Sequence, residues 1–198
     1  MNKPLPLGVT GGIGSGKSVV CKILEILGVP VYCADDRAKE LMNSDRELRK
    51  GIEALFGTES YTESGLNRAH IAAVAFHDKK LLDQLNQLVH PAVAKDLQQW
   101  ISCQSSTIVA EEAALLFETG SYKKFDQVWL VSCPADIRID RIAKRDPHRT
   151  KKDIQAIIEK QWPDEKKRSL ANLEIVNDGK TPILKKLIEE VRKLKHDT

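Results

Sequence analysis

The chain has 198 residues, of which 30% are charged, 41% hydrophobic and 5% aromatic, with a formal net charge of +3. This length suits one domain with a sizeable core, and so small a charge and so few aromatic residues argue against nucleic-acid and membrane partners. The N-terminal residues MNKPLPLG contain no apolar run typical of a signal peptide, and no stretch approaches the roughly 18 apolar residues of a membrane span. We therefore expect a cytoplasmic protein.

The first predicted elements are a strand and a helix joined by a glycine-rich loop. The strand is predicted by alternating apolar residues, Leu5, Leu7 and Val9. The helix is predicted by apolar residues at helical spacing, Val19, Val20, Ile23, Leu24 and Leu27. The loop between them, GVTGGIGSGKS (8–18), contains the pattern G-x-x-x-x-G-K-[ST] as Gly11, Gly16, Lys17 and Ser18.

This pattern has the chemistry of a phosphate-binding loop. Glycines let backbone N–H groups approach phosphate oxygens closely, and a helix that begins near Lys17 directs its positive end at the same anion. Lys17 can place its charge on the β- and γ-phosphates, and the Ser18 hydroxyl can bind Mg²⁺. The sequence thus predicts binding of a nucleoside triphosphate with magnesium; the alternative is an ordinary glycine-rich turn.

Further strands are predicted within four segments, which are GVPVYCADD (28–36), STIVAEEAALLF (106–117), DQVWLVSC (126–133) and LEIVNDG (173–179). Helical patterns lie between them, which favours parallel strands with crossovers and an α/β fold. Residues 37–103 have an almost wholly helical pattern. They form either a helical insertion that recognises a ligand, the interpretation we favour, or a cover for the sheet.

Asp35 and Asp36 end the second predicted strand, which we expect to lie next to the phosphate loop. Ligands of open α/β sheets gather at the carboxyl ends of the strands. One carboxylate should therefore face an acceptor hydroxyl, orient it and take its proton. The alternative is that either aspartate caps the helix that follows.

Arg141 and Arg145 stand four residues apart in a basic segment, on one face of a predicted helix. Their guanidinium groups could close over a triphosphate and stabilise the transferring phosphoryl group; for most of the other basic residues a solvated face is the favoured interpretation. The chain has neither the N-K-x-D nor the D-x-x-G motif of GTPases. Together with the small size, this favours a small-molecule kinase.

The cysteines are scattered and form no C-x-x-C pair. They are Cys21, Cys33, Cys103 and Cys133. We expect buried free thiols in a reducing compartment rather than disulfides or zinc ligands.

Taken in order, these segments resemble the dephospho-CoA kinase family over nearly the whole chain. The resemblance runs through GVTGGIGSGKS, GVPVYCAD, FG (56–57), GLNRAHIAAVAF, His90-Pro91, ALLFE (114–118), Arg141 with Arg145, Gln161 and IVNDG (175–179). It implies ATP-dependent phosphorylation of the ribose 3′-hydroxyl of dephospho-CoA, the last step of coenzyme A synthesis. The implied fold is a P-loop, nucleotide-kinase-like parallel sheet flanked by helices. It would form one domain over 1–198, with a helical substrate-binding insertion at about 57–103 and a lid at about 138–170.

The resemblance also implies roles for individual residues. The implied catalytic residues are Lys17, Asp35 and Arg141, with Asp35 rather than Asp36 as the base. The implied ATP-binding residues are Gly12, Ile13, Gly14, Ser15, Gly16, Lys17, Ser18, Val19, Arg141 and Arg145, with Ser18 on Mg²⁺. The implied dephospho-CoA-binding residues are Thr10, Asp35, Arg68 and His90. Without the resemblance, Arg68 would be interpreted as a surface arginine and His90 as a helix break before proline.

The chain departs from the usual family pattern at four positions, Cys33, Ala114, Arg138 and Asn172, where Asp, Pro, Gln and Asp are common. Two alternative functions stay open at this point. One is a kinase with another acceptor, such as a nucleoside monophosphate or shikimate, and the other is an ATP-dependent switch or binding module. The sequence defines no oligomeric state.

Overall fold

The computed structural model describes residues 4–196, apart from the side chains of residues 76, 77 and 79. The chain divides into two compact units, one formed by Met1–Cys33 with Gln104–Thr198 and the other by Ala34–Cys103. The second unit begins immediately after the second strand of the first.

In the described chain, one helix or a group of helices stands between most successive strands. The strands are β1 (Leu5–Thr10), β2 (Val31–Cys33), β3 (Tyr61–Thr62), β4 (Gly65–Leu66), β5 (Ile108–Glu112), β6 (Gln127–Ser132) and β7 (Leu173–Val176). The helices are α1 (Lys17–Ile26), α2 (Ala34–Ser44), α3 (Arg46–Phe56), α4 (Arg68–His77), α5 (Lys79–Ser102), α6 (Ala135–Arg145), α7 (Lys151–Glu159), α8 (Asp164–Arg168) and α9 (Ile183–His196). Short 3-10 turns occupy Thr58–Ser60 and Ser121–Lys124.

The first unit is built on a five-stranded parallel sheet with the strand order β2-β5-β1-β6-β7. This confirms the predicted α/β class and the five predicted strand positions. The expectation that β2 lies next to the phosphate loop is wrong, because β5 pairs with both β1 and β2 and separates them. Neighbours in a parallel sheet are set by crossovers of many residues, which the local pattern of one strand does not encode.

The central strands consist mainly of apolar residues because both faces of the sheet are buried. Leu7 and Val9 of β1 are fully buried, and every residue of β6 after its first is buried. Helices α1 and α9 contribute Val20 and Leu187 to the same core. Each fully buried aliphatic side chain contributes roughly 1.5–3 kcal/mol, so this core fixes the sheet edge from which the glycine-rich loop emerges.

The second unit is helical, with its own core and one small hairpin. Leu48, Ile52 and Phe56 of α3 pack with Ile71 and Val89. Asp45 caps α3 by accepting hydrogen bonds from two backbone N–H groups of its first turn. The antiparallel pair β3–β4 was not predicted, because each strand has only two residues and no alternating pattern.

Helix α5 runs unbroken through Pro91. The interpretation of His90 as a helix break is therefore wrong. A proline inside a helix costs about 3 kcal/mol, but the apolar face of α5, including Leu85, Leu88 and Val93, packs against the core and offsets this cost. None of the described helices, α5 included, is long and apolar enough to cross a membrane.

The four cysteines, all among the described residues, form no disulfide, as the sequence predicts, but they are not all buried. Cys21 and Cys133 are buried, Cys33 is half-buried and Cys103 is exposed. The expectation of burial is wrong for Cys103 because this residue follows the last turn of α5, outside the apolar face.

Candidate active site

The glycine-rich loop joins the end of β1 to the start of α1, as the sequence predicts. Gly14 and Gly16 have positive φ values of 77° and 90°, a region that favours glycine. A Cβ atom on Gly16 would lie 2.1 Å from Nδ2 of Asn177, so this position also needs the space. The loop turns sharply here and enters α1 at Lys17, whose helix leaves its first N–H groups without intrahelical acceptors. Such groups form an anion site.

Side chains hold the loop by donating hydrogen bonds to the backbone carbonyl oxygens of alternate residues. The carbonyl oxygens that receive side-chain hydrogen bonds are those of Gly11, Ile13 and Ser15. At Ser15 the donors are Nη1 of Arg141 at 3.3 Å and Nδ2 of Asn177 at 2.8 Å. The loop is thus held by side chains through its carbonyl oxygens, which leaves the N–H groups at the start of α1 available to an anion.

Lys17 lies between the loop and the end of β5. Its Nζ donates to the carbonyl of Gly11 at 3.1 Å and is 3.5 Å from Oε1 of Glu112. Both side chains are largely buried, at 13% and 15% exposed. The ammonium is therefore held within the site by groups that a phosphate oxygen can replace.

The two predicted clamp arginines occupy different environments. Arg141 is half-buried, and its Nη1 reaches the Ser15 carbonyl and lies 3.4 Å from Sγ of Cys133. Burial raises the pKa of the Cys133 thiol, while Arg141 opposes that shift. Arg145 is the exposed last residue of α6, and its side chain bonds to no residue that the structure describes. The structure brings Arg141 to the loop and leaves Arg145 at the surface.

The residues present fit a magnesium ion that is held mainly by phosphate and water. Ser18 is exposed in the first turn of α1, and within residues 4–196 its hydroxyl has no hydrogen-bond partner. The same residues contain no cluster of three His, Cys, Asp or Glu side chains suited to a metal. Mg²⁺ usually keeps several waters and takes few protein ligands beside substrate phosphates, so one hydroxyl is a sufficient protein contribution.

Thr10 is the last residue of β1 and is fully buried. Its hydroxyl donates to the carbonyl of Ala114 at 3.4 Å. This bond ties the start of the glycine-rich loop to the segment that follows β5.

Asp35 lies in the first turn of α2 in the second unit. The helix begins at Ala34, so neither Asp35 nor Asp36 precedes it, and the alternative of helix capping is wrong. Asp36 pairs with Lys39 one turn later. Asp35 is exposed, and its carboxylate makes no hydrogen bond or ion pair within the described part of the chain. A negative charge in the first turn of a helix also interacts favourably with the helix dipole.

Helix α2 is fixed to α5 just beyond Asp35. Arg37 donates from Nε and Nη2 to the two carboxylate oxygens of Asp96, at 3.0 and 2.7 Å. A bidentate pair of this kind restricts both side chains in distance and in plane. The backbone that carries Asp35 is thereby held within the second unit, although the Asp35 carboxylate is free.

Arg68 and His90 are the other predicted substrate residues of the second unit. Arg68 is the exposed first residue of α4, which Asn67 caps by accepting from the His70 N–H group. His90 is exposed on α5. Neither side chain bonds to any other of the residues described, so both are available to a ligand.

Sequence reasoning assigned no role to three residues that contact the loop. Asn177 and Gln161 appear in the quoted family segments, and Arg138 appears only as a departure from the family pattern. Their bonds end on backbone atoms of Ile13 and Ser15. A polar residue at the end of a strand, such as Asn177 after β7, is the one sequence signal that could have indicated its position.

The glycine-rich loop between β1 and α1, with Lys17 and Arg141 directed at it, defines a protein of the P-loop kinase class. Shikimate kinase from Acinetobacter baumannii shares the fold alone, with a TM-score of 0.52 at 13% identity over 98% of this chain and 94% of that one. Residues 5–182 match the family model described as dephospho-CoA kinase. The chain belongs to the dephospho-CoA kinase family.

Individual relatives agree with this membership. A Bacteroides fragilis protein named dephospho-CoA kinase is 35% identical over 186 residues, which cover 93% of this chain and 90% of the relative. A solved structure from Thermus thermophilus is 29% identical, with a TM-score of 0.84 over 99% of this chain and 98% of that one. The similarity therefore extends over both compact units.

Proposed function

We propose that this protein transfers the γ-phosphoryl group of ATP to the ribose 3′-hydroxyl of dephospho-CoA and releases coenzyme A and ADP. The observation that carries the proposal is the braced glycine-rich loop with Lys17, in a chain that belongs to the dephospho-CoA kinase family. A cytoplasmic location, with no nucleic-acid or membrane partner, is part of the proposal.

The first unit supplies the nucleotide side of the reaction. The N–H groups at the start of α1 bind phosphate oxygens, and Lys17 exchanges its contact with Glu112 for the β- and γ-phosphates. Arg141 neutralises charge that spreads over the transferring group, and Arg145 acts from the end of the same helix. The loop residues that contact ATP are Gly12, Ile13, Gly14, Ser15, Gly16, Lys17, Ser18 and Val19. Segment 138–170 serves as the lid over them.

Magnesium belongs to the proposal as a metal held by Ser18. When bound, Mg²⁺ supplies positive charge to the β- and γ-phosphates. The protein's part is to present the free Ser18 hydroxyl at the first turn of α1.

The second unit supplies the acceptor side. Asp35 orients the 3′-hydroxyl and takes its proton while that oxygen bonds to the γ-phosphorus. The bond from the γ-phosphorus to the bridging oxygen breaks, and its electron pair leaves on ADP. The residues assigned to dephospho-CoA are Thr10, Arg68 and His90, and Arg68 is suited to its phosphates. The segment at about 57–103 is the substrate-binding insertion.

The experiment that tests the proposal measures ADP release with ATP and Mg²⁺ in the presence of single acceptors. The panel is dephospho-CoA, AMP, CMP, shikimate and no acceptor. We expect stimulation by dephospho-CoA alone. Stimulation by a different member of the panel would support a kinase reaction but contradict dephospho-CoA as the acceptor. Equal ADP release in all five would support an ATP-dependent switch instead.

A further inference from the structure

We propose that Arg138 is a positioning residue that holds the phosphate loop in its nucleotide-binding shape by fixing the peptide groups of Ile13. The inference rests on the proposed function insofar as it assigns the loop to ATP. It concerns nucleotide affinity, so it does not depend on which acceptor receives the phosphoryl group.

The contacts of Arg138 end on the tip of the loop. Its side chain lies on α6 and is only 6% exposed as a residue, and its Nε donates to the carbonyl of Ile13 at 2.8 Å. The guanidinium packs against Gly12 so closely that a Cβ there would lie 2.2 Å from Nη2. A side chain at position 12 would therefore require the guanidinium of Arg138 to move.

Gln161 holds the opposite backbone group of the same residue. Its Oε1 accepts from the N–H of Ile13 at 2.8 Å and from Nη2 of Arg138 at 3.4 Å. Arg138, Gln161 and Ile13 therefore form a closed ring of hydrogen bonds. Both backbone polar groups of Ile13 are fixed from outside the loop, which restricts the flexibility that its glycines would otherwise allow.

Charged side chains behind the ring balance the charge of Arg138 and hold the backbone next to Gln161 in place. Oδ1 of Asp164 is 3.9 Å from Nη1 of Arg138. Burial raises the pKa of the Asp164 carboxyl, although Arg138 opposes that shift. Fully buried Lys167 lies 2.8 Å from Oε1 of Glu118. The same oxygen accepts from the N–H of Trp162, the residue after Gln161, at 3.0 Å.

These contacts identify the effect that Arg138 has on binding. A loop that is already ordered loses less conformational freedom when ATP binds than a loop that must be ordered by ATP. The bonds of Arg138 and Gln161 join protein groups only, so they need no nucleotide in order to form. Their loss should weaken affinity for nucleotide and leave the chemical step nearly unchanged.

Two substitutions separate this role from simple packing. The Nε of arginine and the Nε2 of glutamine are each separated from Cα by three carbon atoms, so Arg138→Gln can keep the bond to the Ile13 carbonyl. Arg138→Met has a similar length and fills the space but donates no hydrogen bond. Lys144→Met is the matched control, because Lys144 is an exposed cation on the same helix.

The test measures the Kd of ADP with Mg²⁺ by calorimetry, and the KM for ATP with kcat, in the wild type and these variants. We expect Arg138→Met to raise Kd and KM about tenfold, as loss of one charge-assisted hydrogen bond does, with kcat within about twofold. Arg138→Gln should recover most of the affinity, and Lys144→Met should match the wild type. Hydrogen exchange of the Ile13 amide should accelerate in Arg138→Met alone.

Unchanged ADP affinity in folded Arg138→Met would overturn the proposal, and so would an Arg138→Gln variant as impaired as Arg138→Met. If Arg138→Met does not fold, Gln161→Leu is measured in its place, and normal ADP affinity there would likewise contradict the inference. If the wild type binds ADP but phosphorylates a different acceptor, dephospho-CoA is not the acceptor, and the proposed role of Arg138 is unaffected. A wild type that binds no ADP would refute both.

Discussion

The two compact units present their candidate residues in opposite ways. In the first unit, Lys17 and Arg141 already bond to protein groups around the phosphate loop. In the second, Asp35, Arg68 and His90 are exposed and bond to none of the described residues. If the proposed roles hold, the nucleotide side of the site is fixed by bonds within the protein, whereas the proposed acceptor residues keep their side chains accessible to a ligand.

The backbone near Asp35 is nevertheless tied to the rest of the second unit. The pair between Arg37 and Asp96 holds the first turn of α2 on α5. A free carboxylate on a fixed backbone is suited to meet a hydroxyl at a defined distance. The comparison therefore predicts that substitutions in the two units have different effects. Substitution of Asp35 should lower turnover, that of Lys17 the use of ATP, and that of Arg68 the affinity for the acceptor.

The largest expected effect is on turnover in Asp35→Asn. Loss of the base should lower kcat with dephospho-CoA by about 10²–10⁴-fold and leave the Kd of ADP unchanged. Steady-state kinetics and calorimetry measure the two quantities. Asp36→Asn is the control, since Asp36 pairs with Lys39 and should keep near-normal turnover. Near-normal turnover in Asp35→Asn would remove the base assignment.

Lys17→Met should have the next largest effect, on the nucleotide side. Loss of one cation directed at the transferring phosphate is expected to lower kcat/KM for ATP by about 10²–10³-fold. Initial rates at varied ATP measure this loss. Lys22→Met, on the exposed face of the same helix, is the matched control. Equal kcat/KM in both variants would contradict the role of Lys17.

Arg68→Met should weaken the binding of the acceptor and leave the binding of ATP unchanged. Loss of one charge-assisted contact to a phosphate of dephospho-CoA is expected to raise its KM about tenfold, with the KM for ATP unchanged. Arg46→Met is the control, because Arg46 is likewise the exposed first residue of a helix in this unit. A parallel rise in both KM values would show that Arg68 does not distinguish acceptor from nucleotide.

The smallest expected effect concerns stability and pH at Glu111. Burial raises the pKa of this carboxyl, with Lys124 opposing the shift. Its folded-state pKa lies above its unfolded value, so its contribution to stability is present at low pH and is lost as pH rises through the folded-state pKa. Glu111→Gln should therefore be more stable than wild type at pH 7, with an advantage that shrinks toward pH 4. Denaturant unfolding at both values measures this difference, and a constant advantage would contradict the assignment.

Local pattern was sufficient to predict β1, the glycine-rich loop and α1 in the first unit. Alternation in Leu5, Leu7 and Val9, followed by glycines and then helical spacing, defined β1, the loop and α1 without any tertiary information. Lys17 is recognisable because its place in the motif is fixed. The order of strands was not predictable in the same way, because the position of β5 between β1 and β2 depends on contacts remote in sequence.

The sequence did not predict the residues whose side chains bond to the backbone of the glycine-rich loop. The donors to Ile13 and Ser15 come from α6 and from the residue after β7, more than 100 residues along the chain. No spacing relates Arg138 or Asn177 to the glycine motif, because a carbonyl acceptor exists at every residue. Packing overruled the local expectation at Pro91, where the apolar face of α5 keeps the helix intact.

The most direct test of the central claim follows the phosphoryl group itself. The protein is incubated with ATP labelled at the γ-phosphate, Mg²⁺ and dephospho-CoA, and labelled coenzyme A, inorganic phosphate and ADP are quantified together. The account predicts one labelled phosphate on the ribose 3′-oxygen for each ADP formed. Label recovered as inorganic phosphate in proportion to ADP, with none in coenzyme A, would contradict it.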